Sequence, residues 1–166
     1  MLHSISSTVL CAAAAVAMAA PAAAQQIDDR RADSLHAAAV ELHQYPDRLV
    51  EAARLHQQGA ALRAPEDPRA VNCLALAGHL LYYAKRPGEA RKVMEEAADR
   101  ARNRGDVAVA AQIYVYAALI ANSDHNAREA VRLIQQAEVL SASPLLAASD
   151  RKNIEARIGR VRIGPR

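Results

Sequence analysis

The sequence predicts an all-α protein, with antiparallel helix pairs stacked as a short α-solenoid of about seven helices. Three observations predict it. The chain is 52% hydrophobic but has no Trp, no Phe and only 5 Tyr, and alanine is its commonest residue. Alanine is the best helix former and lets helices pack closely, whereas a sheet core calls for β-branched and aromatic side chains. Helix start and stop signals recur along the chain. Finally, one pattern repeats: Ala53, Gln57 and Ala60, then Ala90, Met94 and Ala97, then Ala130, Ile134 and Ala137, at offsets of 37 and 40 residues. Each triplet is spaced i, i+4, i+7 and so occupies one helix face.

The elements follow in order. Residues 1–24 read as an export signal, because Thr8 to Ala20 is an unbroken apolar run and Ala22-Ala23-Ala24 is a small-residue cleavage site before Gln25. The run is too short to span a membrane. Met1 to Ser7 lacks Lys and Arg, which departs from the usual signal, and an alanine-rich buried helix is the other reading. Cys11 is not a lipidation site, since Thr8-Val9-Leu10 before it lacks the small residues such a site needs. Residues 25–32 are expected as a short linker and 33–159 as the helical domain. The first helix is expected from Asp33 or Ser34 to about Gln44, and the second from Pro46 to Arg63. Asp67-Pro68 is an N-cap with proline at the first helical position, opening a third helix to about Lys85. Arg86-Pro87-Gly88-Glu89 turns into the fourth, which ends near Gly105 as a C-cap. Asp106 caps the fifth, up to Ala121, and Asn126 with Glu129 has capping-box spacing for the sixth. Ser143-Pro144 starts the seventh, and residues 160–166 are expected to fray as a basic flexible tail.

Charge and cysteine usage narrow the function classes. The formal net charge is +3, but from Arg151 onward six basic side chains face one acid, so the tail carries +5 and the remainder −2. A basic tail on an acidic body is not the footprint of a nucleic-acid-binding domain, and no nucleic acid is expected as partner. Weak contact of the tail with a membrane surface is compatible with it. Removal of the signal leaves Cys73 as the single cysteine, so no intramolecular disulfide forms, and its apolar surroundings suit a buried, inert thiol.

The repeated pattern resembles the tetratricopeptide repeat family, in which bulky, small and bulky residues on a first helix precede alanine, a bulky residue and alanine on the second. Leu74, Gly78, Leu81, Ala90, Met94 and Ala97 match all six positions. Tyr114, Ala118, Ala121, Ala130, Ile134 and Ala137 follow, with Ala121 smaller than the pattern. Glu41 and Gln57 depart from it in the first pair. Both offsets exceed the usual period of about 34 residues, which keeps a related helical-repeat class open. The resemblance implies that one face of each first helix lines a concave groove for an extended peptide. On the third helix that face carries Asn72, Ala75, His79, Tyr82 and Tyr83, and on the fifth Gln112, Val115, Leu119, Asn122 and Ser123. On the first it carries Leu35, Ala38, Leu42 and Tyr45. Aromatic rings beside amides suit peptide recognition, while packing of Tyr82 and Tyr83 against a neighbouring helix is the alternative.

No catalytic or metal motif stands in the sequence, and no cofactor is expected. His36 and His43 are seven residues apart, about 10 Å along a helix, too far to chelate one ion by themselves. His56, His79 and His125 fall in separate elements, which leaves only a zinc site assembled across helices. Cys73 and His79 point about 120° apart on one helix and make no thiolate pair. Phosphate-binding glycine loops and nucleophile elbows are absent from the sequence. The chain therefore reads as an exported, non-catalytic scaffold that binds a protein or peptide. Two alternatives are a self-associating structural protein and a small-molecule binder or enzyme using His79 and the nearby tyrosines.

Overall fold

The computed structural model describes the backbone of residues 6–163 and side chains from residue 22 to residue 162. Residues 1–5, the start of the expected export signal, and residues 164–166, the end of the expected tail, lie outside the described residues. All regular structure among the described residues is helical. Helix α1 is Ser6–Leu42, and a 3₁₀ turn at Pro46–Arg48 leads into α2, Leu49–Leu62. Then come α3 (Pro68–Tyr83), α4 (Pro87–Asn103), α5 (Val107–Ser123), α6 (Ala127–Ser141) and α7 (Ala148–Ile163). Each helix from α1 to α6 packs on the next, and α7 lies against α5 and α6, which is the sequential arrangement of an α-solenoid.

The same chain reversal closes three successive helices. Lys85, Gly105 and His125 have φ of 61°, 84° and 55°. The amides of Arg86, Asp106 and Asn126 donate to Leu81, Ala101 and Ala121 carbonyls, each at 2.9 Å. The amides of Lys85, Gly105 and His125 donate to Tyr82, Arg102 and Asn122 at 3.0, 2.9 and 3.1 Å. This pair of bonds around a left-handed residue is the Schellman ending, and its recurrence every 20 residues makes a 40-residue helix pair. Only Gly105 was legible as such an ending, because Lys and His carry no composition signal for positive φ.

In the second and third pairs every residue of the repeat pattern is buried, whereas in the first Gln57 is half-buried and Glu41 exposed. Leu74, Leu81, Ala90, Met94 and Ala97 form one interface with Gly78, and Tyr114, Ala118, Ala130, Ile134 and Ala137 form the next. Gly78 lies where α3 meets α4: a Cβ added there would stand 2.7 Å from Met94 Cγ. On the other faces of α4 and α6, Arg132 bridges Glu95 at 2.5 Å and Glu129 at 2.8 Å, tying successive second helices together.

Several boundaries differ from expectation. Helix α1 already includes residues 25–32, expected as a linker, and side chains there are engaged: Gln25 donates to Asp29, and Asp29 pairs with Arg69 of α3 at 3.4 Å. Asp28-Asp29-Arg30-Arg31 contains no helix breaker, so nothing stops α1 from continuing through it. Asp67 caps α3 as expected, accepting from the Arg69 amide at 2.8 Å. Asp106 makes no side-chain cap on α5, and its carboxylate pairs with Arg104 instead. The α6 box is half formed: Asn126 accepts from the Glu129 amide at 3.3 Å, while Glu129 turns to Arg132 and Arg91. Helix α7 starts at Ala148, five residues beyond Ser143, because Ser143 closes a turn onto the Leu145 amide and Leu146 tucks into the core. The expected tail is helical to Ile163, with Val161 only 4% exposed and Arg162 paired to Glu138. Val161 supplies the apolar contact that keeps this end from fraying.

Candidate functional site

A cleft of about 480 Å³ opens between α3, α5 and the end of α7. Helix α3 contributes His79, Tyr82 and Tyr83, and α5 contributes Tyr116, Leu119, Asn122 and Ser123 along one edge. Arg160 and Val161 of α7 close the far side. Tyr82 and Tyr83 are 37% and 66% exposed, so neither is a core side chain. Their rings meet at 5.9 Å between centroids. Tyr116 sits deeper, edge-on to His79 at 5.3 Å, and its hydroxyl accepts from Arg157 at 3.0 Å. The Arg157 guanidinium also stands 5.5 Å from the Tyr116 ring centre, a cation–π contact that fixes α7 against α5. Burial holds the His79 imidazole below its usual range and favours the neutral ring.

The expected groove residues divide. His79, Tyr82, Tyr83, Leu119 and Asn122 line the cleft. Val115 does not: it is 1% exposed and belongs to the core, because residue 115 lies about 100° around the helix from residue 116 and points at the packed side. Tyr116 takes its place, and the spacing Gln112, Tyr116, Leu119, Ser123 was the signal for it. Asn72 is exposed outside the cleft, Gln112 is half-buried outside it, and Ala75 packs against the core. Asn122 is also structural, since its amide donates to the Val161 carbonyl at 3.0 Å and binds the last turn of α7.

A second constellation joins α1, α2 and α3. His56 of α2 is completely buried, and its ring nitrogens contact His36 of α1 and His43 in the turn just after α1. Its Nε2 lies 2.9 Å from His43 Nε2, and its Nδ1 lies 3.3 Å from His36 Nδ1. His36 Nδ1 is in turn 3.8 Å from Cys73 Sγ on α3. His36 and His43 stand two turns apart, and His56 fits between them. Burial and then the two neighbouring imidazoles push His56 down to about 4, so its ring is neutral. Burial pushes the Cys73 thiol up, against the pull of the Arg63 guanidinium beside it. Arg63 is itself buried, bonded to Asp33 at 2.5 Å and to Asp67 at 3.5 Å, and it holds the Asp33 carboxyl below its usual range.

No family model, curated protein or solved structure matches the chain.

The local arrangement therefore carries the functional argument. The cleft offers rings, an amide and one exposed cation around an apolar floor, which suits binding of an extended or apolar ligand. Among the described residues no helix is long and apolar enough to cross a membrane. The histidine cluster escaped the sequence reading because its members come from three helices, and no local spacing announces a ring that bridges two others.

Proposed function

We propose that the protein is an exported, non-catalytic helical-repeat scaffold of tetratricopeptide-like character that holds a segment of another polypeptide in the cleft between α3, α5 and α7. One observation carries the reading. The chain has only 5 Tyr and no other large aromatic residue, and three of them, Tyr82, Tyr83 and Tyr116, gather at this one cleft. Tyrosine supplies wide contact area at low entropic cost, and exposed tyrosines around a concave floor are the usual anchors of a protein interface. The 40-residue repeat supports the scaffold part, since stacked pairs present such concave surfaces. Export rests on the apolar run and the small-residue site before Gln25. Cleavage there would leave Asp29, Asp33, His36 and His43 in place, the side chains through which α1 engages α2 and α3.

The test is the paired substitution Tyr82→Ala and Tyr83→Ala, assayed for binding to an array of extended peptides and for thermal unfolding. The expected outcome is a loss of binding equivalent to more than ~1 kcal/mol per ring with the melting temperature nearly unchanged. Unaltered peptide binding would overturn the proposal, and a large fall in melting temperature would make the rings structural.

A further inference from the structure

We propose that His36, His56 and Cys73 form a binding site for a single copper(I) ion, with His43 orienting the His56 ligand. The three donor atoms lie within 4.8 Å of one another. With metal–nitrogen bonds of ~2.0–2.1 Å and metal–sulfur bonds of ~2.3 Å, ligand atoms on one ion stand about 3.3–3.7 Å apart. The nitrogen–nitrogen edge is 3.3 Å and the nitrogen–sulfur edge 3.8 Å, so two of the three edges already have ligand spacing. The remaining edge, between His56 and Cys73, lies within 4.8 Å.

The surrounding groups supply what such a site requires. A metal-bound imidazole is held by a hydrogen bond from its other nitrogen, and His43 accepts that bond from His56 Nε2, which leaves His56 Nδ1 free to coordinate. The 2.9 Å contact fits donation in either direction, and coordination at His56 Nδ1 selects the tautomer in which Nε2 donates. His36 and His43 are half-buried, so the site is open to solvent on its α1 side. Thiolate and imidazole together select soft or borderline ions, copper(I) and zinc above all. Charge and ligand number then separate those two. Binding breaks the Cys73 S–H bond, forms a sulfur–metal bond and releases the proton to solvent. A monovalent ion on one thiolate is neutral, whereas a divalent ion leaves a net positive charge at a buried site. Three protein ligands complete a trigonal copper(I) site, whereas zinc would have to take a solvent molecule as its fourth ligand.

The experiment uses the full chain with Cys11→Ser, so that Cys73 is the only thiol. Copper(I) is titrated anaerobically against a coloured copper(I) chelator, and zinc against a zinc indicator. One copper(I) per chain is expected, with a rise in melting temperature because the ligands come from three helices. X-ray absorption should find one sulfur and two nitrogen neighbours. His43→Phe should weaken binding by about 10–100-fold, and Cys73→Ser and His36→Gln by more. His79→Gln, at the separate cleft, should leave it unchanged. Each variant is checked by circular dichroism, and should Cys73→Ser fail to fold, the half-buried His36 and the absorption spectrum of the parent decide. Copper(I) held equally by Cys73→Ser and His36→Gln would overturn the site, as would the absence of binding. Zinc held one-to-one in preference to copper(I) would overturn the choice of ion.

Discussion

Gly78 gives the sharpest energetic test of the repeat. A methyl group there would sit 2.7 Å from Met94 Cγ, 3.0 Å from its Cε and 3.1 Å from its Sδ. Carbon atoms at optimal contact stand ~3.5–4.0 Å apart, so the closest pair is short by about 0.8 Å or more. Met94 is 1% exposed and has no solvent-filled space to move into. Its Cγ is one bond from Cβ, so relief needs a new rotamer or a shift of α4. Two effects compete in Gly78→Ala. Alanine gains about 1 kcal/mol over glycine within a helix, while overpacking typically costs ~1–3 kcal/mol. Overpacking wins, and the variant should lose up to ~2 kcal/mol, or a few degrees of melting temperature. Gly78→Leu should lose ~3 kcal/mol or more. The decisive measurement is a double-mutant cycle read by urea unfolding. With Met94→Ala in place the clash is gone, and Gly78→Ala should become stabilising by up to ~1 kcal/mol. A change of sign between the two backgrounds is the expected result. The same sign in both would refute the close approach of α3 and α4 at this point.

Two further outcomes follow from the turns and from Tyr114. Lys85→Gly and His125→Gly relieve a left-handed residue that costs roughly 1–2 kcal/mol, and should each stabilise by about 0.5–1 kcal/mol after the added freedom of the unfolded chain is counted. Gly105→Ala should destabilise by about 1 kcal/mol, and no effect in all three would refute the shared ending. Tyr114 is buried, its hydroxyl donates to Asp99 at 2.5 Å, and burial with that carboxylate pushes it up to about 12. A pKa raised on folding gives stability that is complete below the unfolded value near 10 and fades as pH rises toward 12, by roughly 3 kcal/mol in all. Denaturant unfolding from about pH 9 to about pH 11 should show about half of that loss in the parent and a shallower slope in Tyr114→Phe. Parallel curves would remove Tyr114 from the account.

The parts legible in the sequence were those written in local terms. Asp67-Pro68 could be read as a helix start because an N-cap and its proline are adjacent, and Gly78 could be matched to Met94 because both obey helical spacing. The errors have equally local causes. Val115 and Tyr116 are neighbours in sequence and about 100° apart around the helix, so a one-residue error in phase exchanges a core side chain for a cleft side chain. Residues 25–32 and the end of α7 look polar enough to be loops, yet Asp29 pairs with Arg69 and Val161 packs under Asn122. Long-range partners of this kind leave no local trace. His56 is the extreme case, since its two ring partners are 13 and 20 residues away, in the turn after α1 and on α1 itself.

The interior of the first helix pair differs from the rest of the array. From α3 onward the largest fully buried side chains are Leu74, Met94, Val115, Leu133 and Ile154, all apolar. Between α1 and α2 the fully buried apolar side chains are Ala32, Ala39, Ala52, Ala53 and Ala60, with Leu42 and Leu49 only partly buried, and Gly59 lets the α1 backbone approach closely. The bulky side chains buried at this end are His56 and Arg63. Alanine buries little surface on packing, so this pair gains less from the hydrophobic effect and depends more on oriented polar contacts. In a solenoid each repeat is supported only by its neighbours, and among the described residues α1 packs chiefly on α2. The same end of the array therefore combines a small apolar interface, a buried ring chain and the proposed metal ligands. An ion there would act where the array is weakest, and hydrogen exchange should record its effect in α1 and α2 before α5 and α6. Equal protection of all helices on adding copper(I) would mean that the array opens as one unit, with no separately weak end.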